Sequence, residues 1–139
     1  MKKIAKIICS LILAVMMSFC AFGCAFKDAK TTIIQDDENT FAFTVQQVQG
    51  NPTVFDAMKS LAGEGKLSFK IENGMVTQIN AVANADGTYW FLYTSDPDYG
   101  SSAFGEIEFE GQILLSAVVG AQSLTLKEGH TYLWEYKSW

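Results

Sequence analysis

Arginine is absent from the 139-residue chain, and all ten basic residues are lysines, set against fifteen aspartates and glutamates. Nucleic-acid-binding proteins contact the phosphate backbone largely through arginine and lysine side chains. A net-acidic chain with no guanidinium group suits that backbone poorly, so the sequence predicts no nucleic-acid partner. The acidic balance would, by contrast, tolerate a bound cation.

Long apolar runs are also missing, except at the N-terminus, where residues 7–22 follow three lysines. This arrangement, with no charged cluster after it, is typical of a secretory signal peptide. The run ends in Ala-Phe-Gly-Cys at positions 21–24, which resembles the bacterial lipobox, where a peptidase cuts before a cysteine that carries lipid. The resemblance implies a signal peptide over residues 1–23 and a lipid anchor on Cys24. It also implies a location on the extracytoplasmic face of the bacterial cell membrane. The alternative is an uncleaved anchor helix or an ordinary secretory signal.

Cysteine is confined to the first 24 residues, so cleavage before Cys24 would leave that cysteine alone in the mature chain. The domain would then contain no disulfide and would depend on its apolar core, which about 100 residues can supply. The mature chain has 7 lysines and 15 acidic residues, a net charge of −8. Residues 24–39 are mostly polar and are interpreted as a spacer that holds the domain, residues 40–139, off the membrane.

The most apolar stretch of that domain is Thr-Tyr-Trp-Phe-Leu-Tyr-Thr at residues 88–94, with turn residues on both sides. A run this short between turn residues predicts a strand rather than a helix. Its side chains alternate, with Tyr89, Phe91 and Tyr93 on one face and Trp90 and Leu92 on the other. Since neither face suits water, we expect a central strand in a sheet that is covered on both sides.

Alternating apolar residues predict further strands near residues 41–48, 67–71, 75–82, 104–110, 112–115 and 131–137. Thr53, with an acidic residue three positions on, predicts the start of one short helix, which we expect to cover one face of the sheet. Asn-Gly at 73–74 and Glu-Gly at 110–111 predict hairpins. The second hairpin would bury Ile107 and Phe109 against the other face. The predicted fold is therefore α+β and β-grasp-like: a mixed or antiparallel sheet, one short helix on one face and a later β-hairpin layer.

Four segments of the domain resemble the transcobalamin-like C-terminal domain family, a domain otherwise of unknown function. They are Pro-Thr-Val-Phe-Asp-Ala-Met at 52–58, Gly-Thr-Tyr-Trp-Phe-Leu-Tyr at 87–93, Gly-Ala-Gln-Ser-Leu at 120–124, and residues 126–136. The resemblance implies a β-grasp-like domain on exported or surface proteins. In the vitamin B12 carriers, the similar domain caps the corrin ring together with a helical domain that we do not expect here. Cobalamin is therefore carried over only as a ligand hypothesis.

The sequence shows no recognisable set of catalytic residues. His130 is the only histidine, and no serine–acid pair or cysteine stands beside it in the sequence, so we expect a solvated turn residue. Glu106, Glu108 and Glu110 share one strand face about 7 Å apart and are interpreted as a solvated face. No zinc spacing, glycine-rich phosphate loop or nucleophile elbow occurs. The sequence predicts a protein that is not an enzyme.

A polar loop after the central strand carries the candidate binding residues. Asp96 and Asp98 lie two residues apart before a glycine, as oxygen ligands do in calcium loops, and Glu106 could join them around a divalent cation such as calcium. The same Asp-Pro-Asp-Tyr-Gly sequence is also an ordinary turn, so both interpretations stay open.

Aromatic residues flank the same loop: Tyr93, Tyr99 and Phe104 are candidates for a small flat ligand such as a corrinoid, unless their rings belong to the core. The sequence therefore predicts a non-catalytic, membrane-anchored lipoprotein that binds a metal ion or a small ligand through residues 94–104. The alternative is a protein-interaction or surface-display module that docks a surface protein and has no small-molecule ligand.

Overall fold

The structure, a computed structural model, describes residues 29–138. The proposed signal peptide and Cys24 lie outside these residues. In chain order the elements are β1 (Ala29–Asp36), β2 (Thr40–Val48), α1 (Val54–Gly63), β3 (Phe69–Glu72), β4 (Met75–Ile79), β5 (Val82–Ala83), β6 (Thr88–Thr94), β7 (Gly100–Phe109), β8 (Gln112–Ala117) and β9 (Thr131–Ser138). Among residues 29–138, no helix is long and apolar enough to cross a membrane.

Two antiparallel sheets organise the described residues. Six strands form one sheet in the order β1-β2-β9-β6-β8-β7, and three form a smaller sheet in the order β3-β4-β5. Every strand pair within them is antiparallel. With a single short helix, this is the α+β class dominated by antiparallel sheet, as the alternating segments predicted.

The apolar run at residues 88–94 is a strand in the middle of the large sheet, as predicted. All seven residues of β6 pair with β9, from Thr88 opposite Ser138 to Thr94 opposite Tyr132. Trp90, Leu92 and Tyr93 are buried, whereas Tyr89 and Phe91 are half-buried. Cover is therefore complete on one face of β6 and partial on the other.

Helix α1 and the small sheet together cover the face that carries Trp90 and Leu92. The helix begins at a capping box, in which Thr53 and Asp56 each bond the other's backbone N–H, so the predicted start is confirmed. Its buried side chains join those of β2, β6 and β9 in one cluster. The Trp90 indole N–H donates to the Val82 carbonyl (2.9 Å), and the Tyr136 hydroxyl donates to the Ala83 carbonyl (2.9 Å). These bonds fasten the small sheet to the large one.

The β7–β8 hairpin does not form the separate layer that we expected. Strand β8 pairs with β6 and with β7, so the hairpin extends the large sheet. Its apolar residues Ile107 and Phe109 nevertheless pack against a second buried cluster, formed by Ala42, Tyr93, Leu114 and Leu133. The expectation was wrong because alternation predicts a strand but not the neighbour with which its backbone pairs.

The polar segment at residues 24–39 is not wholly a spacer, as we expected it to be. Ala29–Asp36 forms strand β1, which pairs along its length with β2 at the edge of the large sheet. The pairing is irregular, with register shifts after Lys30 and after Ile33. The domain therefore includes residues 29–39, and an edge strand open to water on one side accounts for their polar composition.

The predicted hairpin turns are confirmed, but the predicted loop is shorter. Asn73 and Gly74 both have positive φ (51° and 78°), as the turn between β3 and β4 requires. Of the polar stretch at 94–103, only residues 95–99 lie outside strands, because β7 already begins at Gly100. Residues 102–105 bulge out of the pairing between β7 and β8.

Candidate functional site

The two aspartates of the predicted cation loop meet a lysine. Asp96 is fully buried and Asp98 is exposed, and both side chains contact Lys127. The Lys127 ammonium nitrogen lies 3.4 Å from Asp96 Oδ1 and 2.8 Å from Asp98 Oδ2. The two carboxylates that were predicted to bind a metal ion are thus paired with a positively charged side chain of the protein itself.

Local hydrogen bonds give residues 94–99 the conformation of a turn. The Asp96 backbone N–H donates to Thr94 Oγ1 (3.0 Å), and the Asp98 backbone N–H donates to Asp96 Oδ1 (3.0 Å). The Tyr99 N–H donates to the Asp96 carbonyl oxygen (3.2 Å). Short polar side chains that bond the backbone two residues on are typical of aspartate turns. The turn interpretation of Asp-Pro-Asp-Tyr-Gly is the one that fits this geometry.

Asp98 and Lys127 each stabilise the charged form of the other at this turn. The hydrogen bond from Lys127, followed by its positive charge, lowers the pKa of Asp98 below its ordinary value. The reciprocal bond to Asp98 raises the pKa of Lys127. Beside them, burial raises the pKa of Tyr132 to about 12, although its oxygen accepts the Lys127 backbone N–H (2.9 Å). All three groups therefore keep their ordinary charge states around neutral pH.

Glu106 does not complete a metal site with the aspartates. It is exposed on β7, where its backbone pairs with Leu115. Across residues 29–138, no three His, Cys, Asp or Glu side chains are grouped closely enough to hold a metal ion. The structure therefore brings Asp96 and Asp98 together around Lys127, and leaves Glu106 elsewhere on the sheet.

The three predicted ligand-binding rings are separated. Tyr93 is buried in the second cluster, with the Lys137 ammonium 5.1 Å from its ring centre. Phe104 is exposed on the bulge of β7 and borders a groove of about 300 Å³, which Lys137 also lines. Tyr99 packs instead against the main core. The Lys137 side chain therefore contacts the Tyr93 ring and shares a groove with Phe104, whereas Tyr99 belongs to the main core.

His130 is half-buried and paired, not the solvated turn residue that we expected. Its Nδ1 lies 2.9 Å from Ser95 Oγ, which also accepts the Thr131 backbone N–H (2.9 Å). The Ser95 hydroxyl thus links the His130 ring to the backbone at the start of β9. In the part of the chain that the structure describes, no carboxylate hydrogen-bonds to the ring, so the arrangement lacks the third member of a serine triad.

A further open concavity lies away from these residues, beside β6. It is a groove of about 480 Å³, lined on one side by residues 89–92 and on the other by residues 116–120 and Met75. We call it the β6 groove. Its walls are mostly apolar, and two of its residues, Met75 and Val118, are among the exposed large apolar side chains of the described chain. An open apolar groove is a common setting for a binding site.

Incomplete strand pairing creates this groove. Strand β8 pairs with β6 only at Tyr93 and Thr94, the last two residues of β6. Beyond Ala117 the chain turns away, and the Val118 N–H donates to the Tyr99 carbonyl (2.9 Å). Before Tyr93, the edge of β6 that faces away from β9 is covered by the segment that precedes the strand instead. The Trp90 N–H donates to the Asn84 side chain (3.1 Å), and Thr88 exchanges two backbone hydrogen bonds with Ala85 (2.9 and 3.1 Å).

Sequence reasoning did not find the β6 groove, although it identified the strand that forms one wall. The other wall comes from residues 116–120, about 25 positions further along the chain, and from the tip of the β3–β4 hairpin. Two adjacent valines at a predicted turn, Val118 and Val119, were the available signal, and the first of them is exposed. Comparison of the chain with family models, with curated proteins and with solved structures finds no match.

Proposed function

We propose that this protein is a non-catalytic, lipid-anchored interaction domain on the extracytoplasmic face of the bacterial membrane. Its binding surface would be the β6 groove, with the 94–104 segment serving as a structural turn. The observation that carries this proposal is the mostly apolar groove of about 480 Å³, where Met75 and Val118 leave large apolar side chains exposed. Exposed apolar surface that is gathered in one groove is typical of interaction sites.

The anchoring part of this proposal depends on the N-terminal sequence pattern. A signal-like apolar run followed by Cys24 favours lipid attachment. A diacylglyceryl group with an added acyl chain buries many CH₂ groups, at about 0.8 kcal/mol each, and so holds a protein stably at a bilayer. We further propose the finer fold assignment, a β-grasp-like domain similar to the transcobalamin-like C-terminal family, on the order of strand, helix and hairpin in β2–β4.

A small flat ligand is the second candidate, because aromatic residues line the same groove. Tyr89, Trp90 and Phe91 contribute to its β6 wall. Aromatic rings favour flat apolar ligands, among them a corrinoid. A cation at Asp96 and Asp98 is supported less well, because it would have to displace the Lys127 ammonium.

In-cell photo-crosslinking would test the proposed function. A photoreactive residue would replace Val118 in the groove in one strain and Ile113 on β8 in another, since the two side chains are comparably exposed (49% and 53%). We expect a discrete adduct from position 118 alone, which disappears when Met75→Glu blocks the groove. Labelled palmitate should be incorporated by the parent chain and not by Cys24→Ala. Equal adducts from both positions would contradict a groove-specific partner.

Thermal-shift measurements separate the two candidates. For an interaction domain we expect neither calcium nor cobalamin to raise Tm, because a ligand that binds the folded state stabilises it. A rise with cobalamin that Tyr89→Ala abolishes would instead establish the small-ligand candidate. A rise with calcium that is lost in Asp96→Asn would restore the cation hypothesis.

A further inference from the structure

We propose that a second groove, on the face of the large sheet that carries Phe91, binds a small aromatic carboxylate, with Lys137 contacting the carboxylate and Phe104 the ring. We call it the Lys137 groove; in the described chain its lining also includes Ser116 and Ser138. Phe91 and Ser116 border the β6 groove as well, whereas Lys137 and Phe104 line only this one of the two. The inference goes beyond the proposed function, because it assigns a ligand class to a different site.

The Lys137 groove lies where the cover on this face of the sheet ends. Further along, the β7–β8 hairpin covers the face, since Ile107 and Phe109 pack against the second buried cluster. Residues 102–105 bulge out of the pairing between β7 and β8, and Gly105 has a φ of 120°, a backbone conformation that favours glycine. The bulge carries Phe104, whose side chain is 74% exposed, and a concavity of about 300 Å³ lies beside it.

Lys137 supplies positive charge to this concavity. Its ammonium nitrogen lies 5.3 Å from the centre of the Phe91 ring and 5.1 Å from that of Tyr93. A hydrogen bond with the Tyr93 side chain raises the pKa of Lys137, so the ammonium is charged around neutral pH. Among the described residues that line the groove, Lys137 is the only charged one. Since the chain as a whole is net acidic, this local charge, and not long-range attraction, must hold an anion.

Glu135 reduces the positive charge at Lys137 but does not remove it. Its Oε2 lies 3.6 Å from Lys137 Nζ, well beyond the length of about 2.7–2.9 Å that is typical of charge-assisted hydrogen bonds. An ammonium group has three N–H donors. Among residues 29–138, Tyr93 and Glu135 account for two of them, which leaves one for a bound anion. One ammonium beside a carboxylate suits a single negative charge, so we assign a carboxylate rather than a phosphate dianion.

The rest of the groove favours a flat apolar body on that carboxylate. The exposed Phe104 ring offers a surface for offset or edge-to-face contact with another ring. Ser116 and Ser138 offer hydroxyl groups, which can donate to a carboxylate oxygen. The volume is at the lower end of the range for small-molecule pockets, about 300–1,000 Å³, and so favours a single ring over a larger ligand.

An NMR titration of the full chain in detergent micelles tests the inference at neutral pH. The probe is phenylacetate, and the uncharged phenylacetamide is its matched control. We expect phenylacetate to shift the amide signals of Phe104, Ser116 and Ser138 in a saturable manner. Phenylacetamide should bind about fivefold more weakly or worse, because it lacks the charge-assisted hydrogen bond. Phenyl phosphate should bind no more tightly than phenylacetate.

Charge variants identify the group that holds the carboxylate. Lys137→Gln should weaken phenylacetate to the level of phenylacetamide, whose own binding should change little. Lys59→Gln is the matched control, because Lys59 also lies over a ring, 4.7 Å from the centre of Phe55, and pairs with a carboxylate at 3.4 Å, but on the helix. Glu135→Gln should strengthen phenylacetate about twofold or more, because it removes the negative charge beside the ammonium.

A second pair of variants tests the ring contact. Phe104→Ala should weaken phenylacetate and phenylacetamide alike, by about fivefold, while Ile113→Ala, at an exposed apolar residue outside the groove, should leave both unchanged. Thermal melts establish that the variants are folded. Because both side chains are more than half exposed, we expect little change in Tm.

Several outcomes would overturn the inference without touching the proposed function. Absence of saturable shifts at the groove amides, or equal affinity of the parent chain for phenylacetate and phenylacetamide, would disprove it. Phenyl phosphate that binds about tenfold more tightly than phenylacetate would disprove the carboxylate assignment. Shifts at Met75 and Val118 that Met75→Glu abolishes would place the ligand in the β6 groove and disprove this site.

Discussion

The two ends of β6 differ in how their backbone edges are satisfied. At its C-terminal end, Tyr93 and Thr94 pair with β9 on one side and with β8 on the other, and both are fully buried. Nearer its other end, Trp90 also has a buried side chain, but β8 does not reach it, and a side chain, that of Asn84, bonds its N–H in place of a strand. Burial of side chains and completion of a sheet are therefore separate properties, and only the first is encoded by apolar composition.

The largest expected effect tests the closed end. Leu114 is fully buried in the cluster with Tyr93, so Leu114→Ala should lower the free energy of unfolding by about 2–5 kcal/mol. Its neighbour Ile113 is 53% exposed, and Ile113→Ala should change the free energy of unfolding by about 0.5 kcal/mol or less. Urea denaturation measures both. A smaller loss for Leu114→Ala than for Ile113→Ala would show that the closed end does not depend on packing.

The turn that follows the closed end provides the second test. Lys127→Met removes the cation beside Asp96, whose Oδ2 is already buried with no hydrogen-bond partner in the described chain. The fully buried Asp96 carboxylate would keep only the Asp98 N–H as a partner for Oδ1, so Tm should fall measurably. Lys59→Met, at an exposed i,i+3 pair with Asp56 on the helix, is the matched control and should change little. Equal effects of the two substitutions would refute a role for Lys127 in holding the turn.

The open end provides a smaller effect. The Asn84 side chain accepts the Trp90 N–H, and Asn84→Ala would leave that donor to water or to the groove. We expect a loss of about 0.5–1.5 kcal/mol and faster hydrogen exchange at the Trp90 amide. The exposed Asn51→Ala is a suitable control. Unchanged exchange at Trp90 would mean that its N–H does not point to the open edge.

The smallest effect is the pH dependence of the turn. Because the folded-state pKa of Asp98 is lowered, its stabilising contribution is present above the ordinary value of 3.8 and is lost as pH falls through the lower folded value. The raised pKa of Lys127 means that its contribution is present below 10.5 and is lost above it. The difference in Tm between the parent chain and Asp98→Asn should therefore be constant near neutral pH and should disappear at low pH, where Asp98 is protonated. A difference that persists at pH values well below 3.8 would exclude this ion pair as its source.

Local features of the fold could be predicted from particular residues. Thr53 and Asp56 form the expected capping box, Asn73 and Gly74 form the expected turn, and the Thr88–Thr94 run is the expected strand. Each of these depends on residues within a few positions of one another, where backbone preference and side-chain bonding act directly. Strand β1 escaped prediction because its polar residues are stabilised by pairing with β2 and not by an apolar pattern.

Contacts across long separations in sequence account for most of what was missed. Lys127 reaches Asp96 from 31 positions away, and His130 reaches Ser95 from 35. Both contacts follow from the antiparallel pairing of β6 with β9, which places the end of β6 beside the start of β9. The sequence Asp-Pro-Asp-Tyr-Gly is the same whether its aspartates bind a metal ion or a lysine. Only the order of the strands in the sheet shows that Lys127 lies beside them.

Both outer margins of the six-stranded sheet are built to resist self-association. The pairing of strand β1 is interrupted twice in its register. Strand β7 contains a bulge and carries exposed Glu106 and Glu108, and exposed Glu110 follows in the turn. Irregular or charged rims discourage neighbouring molecules from zippering into fibres. Many copies could therefore lie close together without edge-to-edge association, and the β6 groove of each would stay accessible to a different molecule.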